Sequence, residues 1–410
     1  MTAADKTDLL DAACTQTPYA YFDRLRATEP VHWNARHRAW IITSHAAVTT
    51  GFRDRRLLSN RMKKLREKVA PEQQDTVGRT MKILESWMVF QDNPEHKRLR
   101  GVVQKAFTPQ VVAGLEGRVR ELAREQVAIL NRRLDTEPSK PIDVLNEIAY
   151  EIPGPIICGM LGVPPQDRHQ FTAWTEEVSS IIGGVADDPD RFGKTHAAVE
   201  SLEAYLNAVI ERNAGSTGSL MAQLAAAEAD GQRLTRDEVI ATGILMLFGG
   251  NRTTSCMIAN GVRALLLHPA QLDALIADPG RINAAVEEIL RWESHTKATV
   301  RIVGEDFEWY GQHLKTGDRV FLSPLAANRD DAVFENPEVF DIARPDVGRH
   351  LAFGTGMHLC LGMALARMEL RIFFAELLST LPRLKLIDPP SQWSPSIVSR
   401  VQTRLMIAAR

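Results

Sequence analysis

The sequence offers no paired cysteines. Cys14, Cys158, Cys256 and Cys360 stand far apart, so neither a disulfide framework nor a cysteine-rich zinc module organises the chain. No apolar run approaches the roughly 18 residues that a membrane-spanning helix needs. Met1 to Leu10 carries Asp, Lys and Thr and lacks the apolar core of a signal peptide. A soluble protein of a reducing compartment, the cytoplasm, is therefore expected, without a membrane partner. Charge bias is also missing. Lys and Arg number 49 against 51 Asp and Glu, a net −2, which excludes nucleic-acid recognition driven by bulk charge. There is no internal repeat and no low-complexity linker. What is present is 410 residues with 44% hydrophobic content, ample for a large core. Length alone allows two or three domains, but the candidate site residues are scattered from position 96 to position 360. One domain over residues 1–410, built around one site, is expected.

Helical periodicity dominates. A helix is predicted over Pro18–Ala27, ahead of two strand-like runs, Val31–Trp33 and Ala39–Thr43, around the polar turn Asn34–Arg38. Met62–Thr80, with Lys63, Lys64, Arg66 and Lys68, has weak periodicity and reads as a long loop with room for one short helix. Helical patterns follow over Pro94–Ala106, Pro109–Leu134, Val144–Leu161 and Gln166–Gly183. Gly183-Gly184 and Asp187-Asp188-Pro189-Asp190 interrupt them before a helix from Phe192 to Arg212. Thr235 and Glu238 then form a capping-box pattern, and apolar residues continue to Leu267 before His268-Pro269. About thirty residues at 1.5 Å each make a rod of roughly 45–50 Å. It is apolar nearly all round from Val239 to Phe248, which predicts central burial. A further helix is predicted from Gly362 to Leu378. The fold class is mainly α with small β-sheets.

The most informative segment is Phe353-Gly354-Thr355-Gly356-Met357-His358-Leu359-Cys360-Leu361-Gly362. Gly354 and Gly356 open backbone angles closed to other residues, and Gly362 leaves no side chain where a flat ligand would press. At the start of the helix that follows, unpaired N–H groups and the helix dipole favour Cys360 as a thiolate, the form that ligates metal. The same residues also allow a buried structural cysteine in a Gly-rich turn. The pattern F-G-x-G-x-H-x-C-x-G resembles the haem-ligand loop of the cytochrome P-450 family at all six defining positions.

Other segments extend that resemblance along essentially the whole chain. Glu288 and Arg291 lie three apart on one helix face, where carboxylate and guanidinium can bond each other. With Arg344 in Phe340–Pro345 they look like the family's structural triad. His96 and Arg100 stand one helical turn apart and resemble its propionate-binding pair, with Arg301 and His358 at the other two propionate positions. Phe248-Gly249-Gly250-Asn251-Arg252-Thr253-Thr254 resembles the oxygen-activation segment. There the family implies that Gly249 and Gly250 let the helix bulge over the iron, and that Thr253, beside Thr254, helps deliver protons.

One departure stands in that segment: Arg252 occupies the position of the family's acid. A guanidinium stays charged and offers donors only, so a proton-relay role does not carry over. Three readings remain open. Arg252 points away from the haem and pairs elsewhere, it faces the pocket and binds a substrate anion, or the reaction needs no conventional relay.

The resemblance implies a cytochrome P-450 fold, with haem b held between the long central helix and the cysteine loop, and Cys360 as axial thiolate. It implies a substrate pocket lined by Met88, Val89 and Phe90 (beside Trp87), Ile182 (beside Ile181), Leu245 and Phe248. His295, Thr296, Lys297, Ile397 and Val398 complete it. The polar His295–Lys297 run fits a substrate with a carboxylate, or a Lys297 that never reaches the pocket. The implied activity is insertion of one oxygen atom from dioxygen into a small organic molecule of secondary metabolism. NAD(P)H would supply electrons through a separate ferredoxin or flavodoxin and its reductase, since no fused flavin or iron–sulfur domain fits after Arg410. Lys97, Arg98, Arg349 and Arg371 are candidate docking cations, and a monomer is expected. Alternatives are a peroxide-driven enzyme, coupling or desaturation within the same family, and a haem-binding protein without turnover.

Overall fold

The computed structural model of the chain describes residues 6–66, 71–182, 190–216, 218–226, 228–229 and 232–410. The turn expected at Gly183-Gly184 and most of Asp187–Asp190 lie outside them. The chain is mainly helical and forms two compact units. One comprises Met1–Leu57, Leu115–Pro153 and Thr253–Arg410; the other comprises Leu58–Gly114 and Gly154–Arg252.

The first unit carries the main sheet. Val31–Asn34 pairs antiparallel with Ala39–Ile42, the latter runs parallel to Arg319–Leu322, and that strand pairs antiparallel with Thr299–Val303, beside which lies Leu57. The turn expected at Asn34–Arg38 is present, with the Asn34 side chain accepting from the His37 N–H at 2.9 Å. Strand alternation places Val31, Trp40, Ile42, Val320 and Leu322 in one core with Val48 and Phe52. A second sheet joins Leu384–Trp393, Gln402–Ala409 and Ile142–Asp143. Helix Met363–Leu377 packs on the second half of the long helix. A Cβ at Gly261 would stand 2.3 Å from Phe374 Cζ, so only glycine permits this approach.

The second unit is helical. Met62–Thr80 is not a loop: helices span Met62–Arg66 and Pro71–Glu85. Val77, Thr80, Met81 and Leu84 of the longer one are buried, and the run Glu72–Thr76 ahead of them is polar throughout in sequence, which gave no helical rhythm to read. Arg79 on this helix donates to Asp237 at 2.8 Å and bonds Glu203. Elsewhere two expected helices are broken. The one over Pro109–Leu134 divides at Gly114. The one over Val144–Leu161 becomes Val144–Glu147, a 3₁₀ turn Ala149–Glu151, and Pro153–Leu161. Pro153 and Pro155 have no N–H to carry the ladder through.

The long helix is Arg236–Leu267, 32 residues, hence about 48 Å. Its capping box is reciprocal: the Thr235 N–H donates to Glu238 at 2.8 Å, and the Glu238 N–H donates to the Thr235 hydroxyl at 3.3 Å. Burial runs through Val239–Ile244 and Thr254–Val262, but Phe248–Thr253 is only half-buried. No described helix is long and apolar enough to cross a membrane.

Candidate active site

The cysteine loop is shaped by its glycines. Gly354 and Gly356 take φ of +67° and +74°, the left-handed region. A Cβ at Gly356 would lie 3.0 Å from the Phe52 carbonyl oxygen. The Gly354 N–H donates to Leu351 O at 2.9 Å, the Leu359 N–H to Gly356 O at 3.1 Å, and the Cys360 N–H to Phe353 O at 3.0 Å. Folded back in this way, the loop leaves Cys360 exposed, whereas Cys14, Cys158 and Cys256 are buried. A Cβ at Gly362 would meet nothing within 4 Å.

Two adjacent acids on helix Ile282–Trp292 brace the region. Glu288 receives both Arg291 bonds at 2.7 Å, the Asp341 N–H at 2.8 Å, and Arg344 at 3.3 Å. Arg291, fully buried, also donates to the carbonyls of Asn328, Pro337 and Val339 at 2.8–3.0 Å. Arg344 reaches the carbonyls of Asn336 and Val339. The three residues thus come together, their donors spent on acceptors that fix the segment from Asn328 to Arg344. Glu287 turns elsewhere. It receives Arg367 in a fork at 2.7 Å and 2.7 Å and His350 Nε2 at 3.0 Å. Burial opposes its ionisation, but these two partners prevail and hold the carboxyl down at about 2.

On the long helix, the two expected bulge glycines differ. A Cβ at Gly249 would meet nothing within 4 Å, whereas one at Gly250 would stand 2.9 Å from Ile157. Gly250 is a packing glycine, and the helix continues unbroken through both. Asn251 donates to the Thr172 hydroxyl at 3.2 Å, and Arg252 donates to the Ser179 hydroxyl at 3.0 Å. Thr253 is half-buried and Thr254 buried. Thr254 shares a hydrogen bond with Glu369, which is 2% exposed on helix Met363–Leu377. Burial pushes that carboxyl up to about 8 against the pull of Thr254. Glu369 is therefore a neutral acid at pH 7.

The remaining expected residues fall into groups. His96, 2% exposed, and Arg100, half-buried, lie on helix Glu95–Val103 one turn apart. Arg301, 5% exposed, sits on strand Thr299–Val303 with its guanidinium 5.8 Å from the Phe52 ring centre. His358 is half-buried in the loop. Met88 and Phe90 are buried, Val89 is exposed, and Leu245 and Ile182 are half-buried. Trp87 stacks on Phe90 at 5.8 Å and meets Phe248 at 5.4 Å, one aromatic cluster. Separately, His295–Ala298 runs against the C-terminal turn: Thr296 bridges Ser399, the Lys297 N–H donates to Val398 O at 2.9 Å, and Ile397 is buried.

One expectation needs correction. Lys297 does not offer an ammonium to a pocket. It is buried, and its Nζ donates to the Leu9 and Ser396 carbonyls at 2.8 and 3.2 Å, with burial bringing its pKa down to about 8. Arg98, another candidate docking cation, pairs with Glu95 at 2.8 Å and with Glu238. Arg349 and Lys97 are exposed and Arg371 is half-buried.

Sequence reasoning passed over Glu287, His350, Arg367 and Glu369. The Glu287-Glu288 doublet was a signal, because neighbours on a helix diverge by about 100° and demand separate partners. Glu369 was legible as an acid flanked by the apolar residues Met368 and Leu370.

Comparison with known proteins accounts for this arrangement. A family model described as Cytochrome P450 matches residues 54–278 and 281–395. The Vitamin D(3) 25-hydroxylase of Pseudonocardia autotrophica is 35% identical over 390 residues, covering 94% of this chain and 91% of that protein. The crystal structure of CalO2 superposes with a TM-score of 0.90 at 30% identity, covering 99% of both chains. P450BioI, solved in complex with acyl carrier protein ligated to hexadec-9Z-enoic acid, gives a TM-score of 0.85 at 30% identity over 96% of this chain and 98% of that one. The chain belongs to the cytochrome P450 family, and its activity is the monooxygenase chemistry of that family.

Proposed function

We propose that the chain binds haem b through Cys360 and inserts one oxygen atom from dioxygen into a bulky, largely apolar organic molecule. The observation that carries the reading is the Cys360 loop. It presents its cysteine outward on left-handed glycines, has open space at Gly362, and is backed by the Glu288–Arg291–Arg344 network. An exposed cysteine beside open space at Gly362 suits a flat macrocycle with one axial thiolate, so the residues present fit haem. Bound haem with a thiolate ligand supplies dioxygen binding and favours O–O cleavage.

The chain's own residues supply the rest. Arg301, His358, His96 and Arg100 are the residues that the family resemblance assigns to the propionates. Open space at Gly249 gives room beside the long helix. Arg252 is tied to Ser179, which supports the reading in which it pairs away from the reaction. Proton supply then falls to the hydroxyls of Thr253 and Thr254, with Glu369 holding a proton beneath Thr254 at neutral pH. The Trp87–Phe90–Phe248 cluster supports an apolar substrate, and so does the withdrawal of Lys297 into backbone carbonyls. Similarity to a vitamin D3 hydroxylase and to P450BioI, solved with acyl carrier protein ligated to hexadec-9Z-enoic acid, is in keeping with sterol-like or long-chain acyl molecules. Electrons come from NAD(P)H through a separate ferredoxin or flavodoxin and its reductase.

The test is a visible-spectrum titration of the ferric holo-protein with a panel of sterols, fatty acids, aromatic acids and cyclic peptides. A Soret shift signalling loss of the water ligand with sterols or acyl chains supports the reading. A shift confined to small aromatic acids refutes the apolar pocket. In parallel, Arg252→Glu is expected to retain reductase-driven turnover. Loss of turnover together with loss of peroxide-driven activity overturns the assignment of Arg252 to a structural tie.

A further inference from the structure

We propose that Glu287 is the positioning residue of Cys360, clamping both flanks of the cysteine loop with one carboxylate and setting the charge around the sulfur. The inference rests on Cys360 being the haem ligand.

Glu287 and Glu288 are neighbours on one helix, so their side chains leave it in different directions. Glu288 is consumed by the triad and by Asp341. Glu287 faces His350, ten residues before Cys360, and Arg367, seven residues after it. The ring of His350 is pinned at both nitrogens: Nδ1 accepts the Ala352 N–H at 3.2 Å, so Nε2 carries the proton given to Glu287. Arg367 binds through a two-bond fork, the strongest and most directional form of ion pair. Its guanidinium also lies 4.8 Å over the Phe353 ring, and His350 meets that ring at 6.0 Å. Phe353 in turn accepts the Cys360 N–H at 3.0 Å. A continuous chain of contacts therefore runs from Glu287, through Arg367 and Phe353, to the backbone of the cysteine itself. The pair is partly screened, with side-chain exposures of 20% and 33%, yet it ties helix Ile282–Trp292 to the start of helix Met363–Leu377, with Cys360 between His350 and Arg367 in the chain.

The charge follows from the same geometry. With Glu287 present, the Arg367 cation is offset. Without it, a positive charge stands unopposed beside the loop, draws electron density from the sulfur and favours the reduced, less positive iron. Removing Arg367 instead leaves an unopposed carboxylate and shifts the balance the other way. A residue that merely fills space has no such sign.

The experiment uses the holo-protein and the variants Glu287→Gln, Glu287→Asp and Arg367→Gln. Two quantities are read: the lifetime of the thiolate form of the ferrous carbon-monoxide complex before it converts to the thiol form, and the ferric/ferrous reduction potential. Glu287→Gln is expected to shorten the lifetime roughly tenfold, as for loss of one charged hydrogen-bonded pair, and to raise the potential. Arg367→Gln is expected to shorten the lifetime and lower the potential, and Glu287→Asp to keep the potential near that of the parent. A parent lifetime and potential in Glu287→Gln overturns the proposal, as does a shift of the same sign in both neutralising variants. If Glu287→Gln does not load haem, Arg367→Gln decides alone: an unchanged lifetime or a raised potential overturns it. A parent protein whose carbon-monoxide complex never shows the thiolate form overturns the assignment of Cys360 instead.

Discussion

Replacing Glu369 with Gln isolates a buried carboxyl that is displaced far from its ordinary range. The side chain is 2% exposed, its one hydrogen-bond partner among the described residues is Thr254, and burial raises its pKa from 4.5 to about 8. The sign is set by which state keeps the proton. Between pH 4.5 and about 8 the unfolded chain has ionised this group and the folded protein has not. The unfolded state therefore gains stability relative to the folded one as pH rises through that window. At 1.36 kcal/mol for each tenfold change, the total cost is about 5 kcal/mol by pH 8. Gln fills the same volume, keeps a hydrogen bond to Thr254 and never ionises. The difference in unfolding free energy, variant minus parent, should grow by about 1.4 kcal/mol per pH unit across the window and level off above it. Urea denaturation of both holo-proteins at intervals from about pH 5 to about pH 8.5 gives this difference directly. Lys297, whose pKa burial brings down to about 8, is common to both proteins and cancels. Parallel pH profiles for parent and variant would refute the reasoning, because they would mean that Glu369 ionises in the fold as readily as in the unfolded chain. The same variant removes the proton held beneath Thr254, so NAD(P)H consumption should uncouple from product formation while haem loading is retained.

Other substitutions test the frame and the pocket. Arg291→Lys keeps the charge but loses the planar fork that reaches Glu288 and three carbonyls at once. A loss of about 3 kcal/mol or more is expected by urea denaturation, as for a broken buried pair. Gly261→Ala drives a methyl to 2.3 Å from Phe374 Cζ and should cost about 1–3 kcal/mol in the same assay, whereas Gly249→Ala, which meets nothing within 4 Å, should leave stability unchanged to within about 0.5 kcal/mol. Lys297→Met should leave the spectral dissociation constant of an apolar ligand within about twofold of the parent, because its ammonium is already spent on Leu9 and Ser396. A tenfold weakening would place that ammonium at the substrate.

The features legible in the sequence were those whose chemistry is local. Thr235 and Glu238 lie one turn apart, so the cap and the start of the long helix were open to inspection, and both bonds of the box are present. Glu288 and Arg291 were equally legible, and Arg344 joined them through its motif. What escaped was set by partners distant in the chain. His350 and Arg367 stand 63 and 80 residues from Glu287, and nothing in their own segments names an acid. Lys297 showed the converse. Its position suited either a pocket or a core, and only the carbonyls of Leu9 and Ser396, 288 and 99 residues away, decide for the core. Helix Pro71–Glu85 was missed because its first half gives no apolar rhythm, and its stripe at Val77, Met81 and Leu84 gains meaning only once neighbouring helices cover it.

Glu287 and Glu369 show how one residue type serves two ends in this protein. Burial alone would neutralise both, and for both it is the leading influence on the carboxyl. Glu287 meets a guanidinium fork and a pinned imidazole, stays ionised down to about pH 2, and can therefore hold a loop under any physiological condition. Among the described residues Glu369 meets a hydroxyl alone, keeps its proton to about pH 8, and can therefore hold and yield that proton near neutrality. Arg252 stands in place of the family's acid and is bonded to Ser179, while a buried acid, Glu369, meets Thr254 at the end of the segment that resembles the family's oxygen-activation motif. That acid stands on the helix that follows the cysteine, and burial keeps its proton on at neutral pH, as the proposed proton supply through Thr254 calls for.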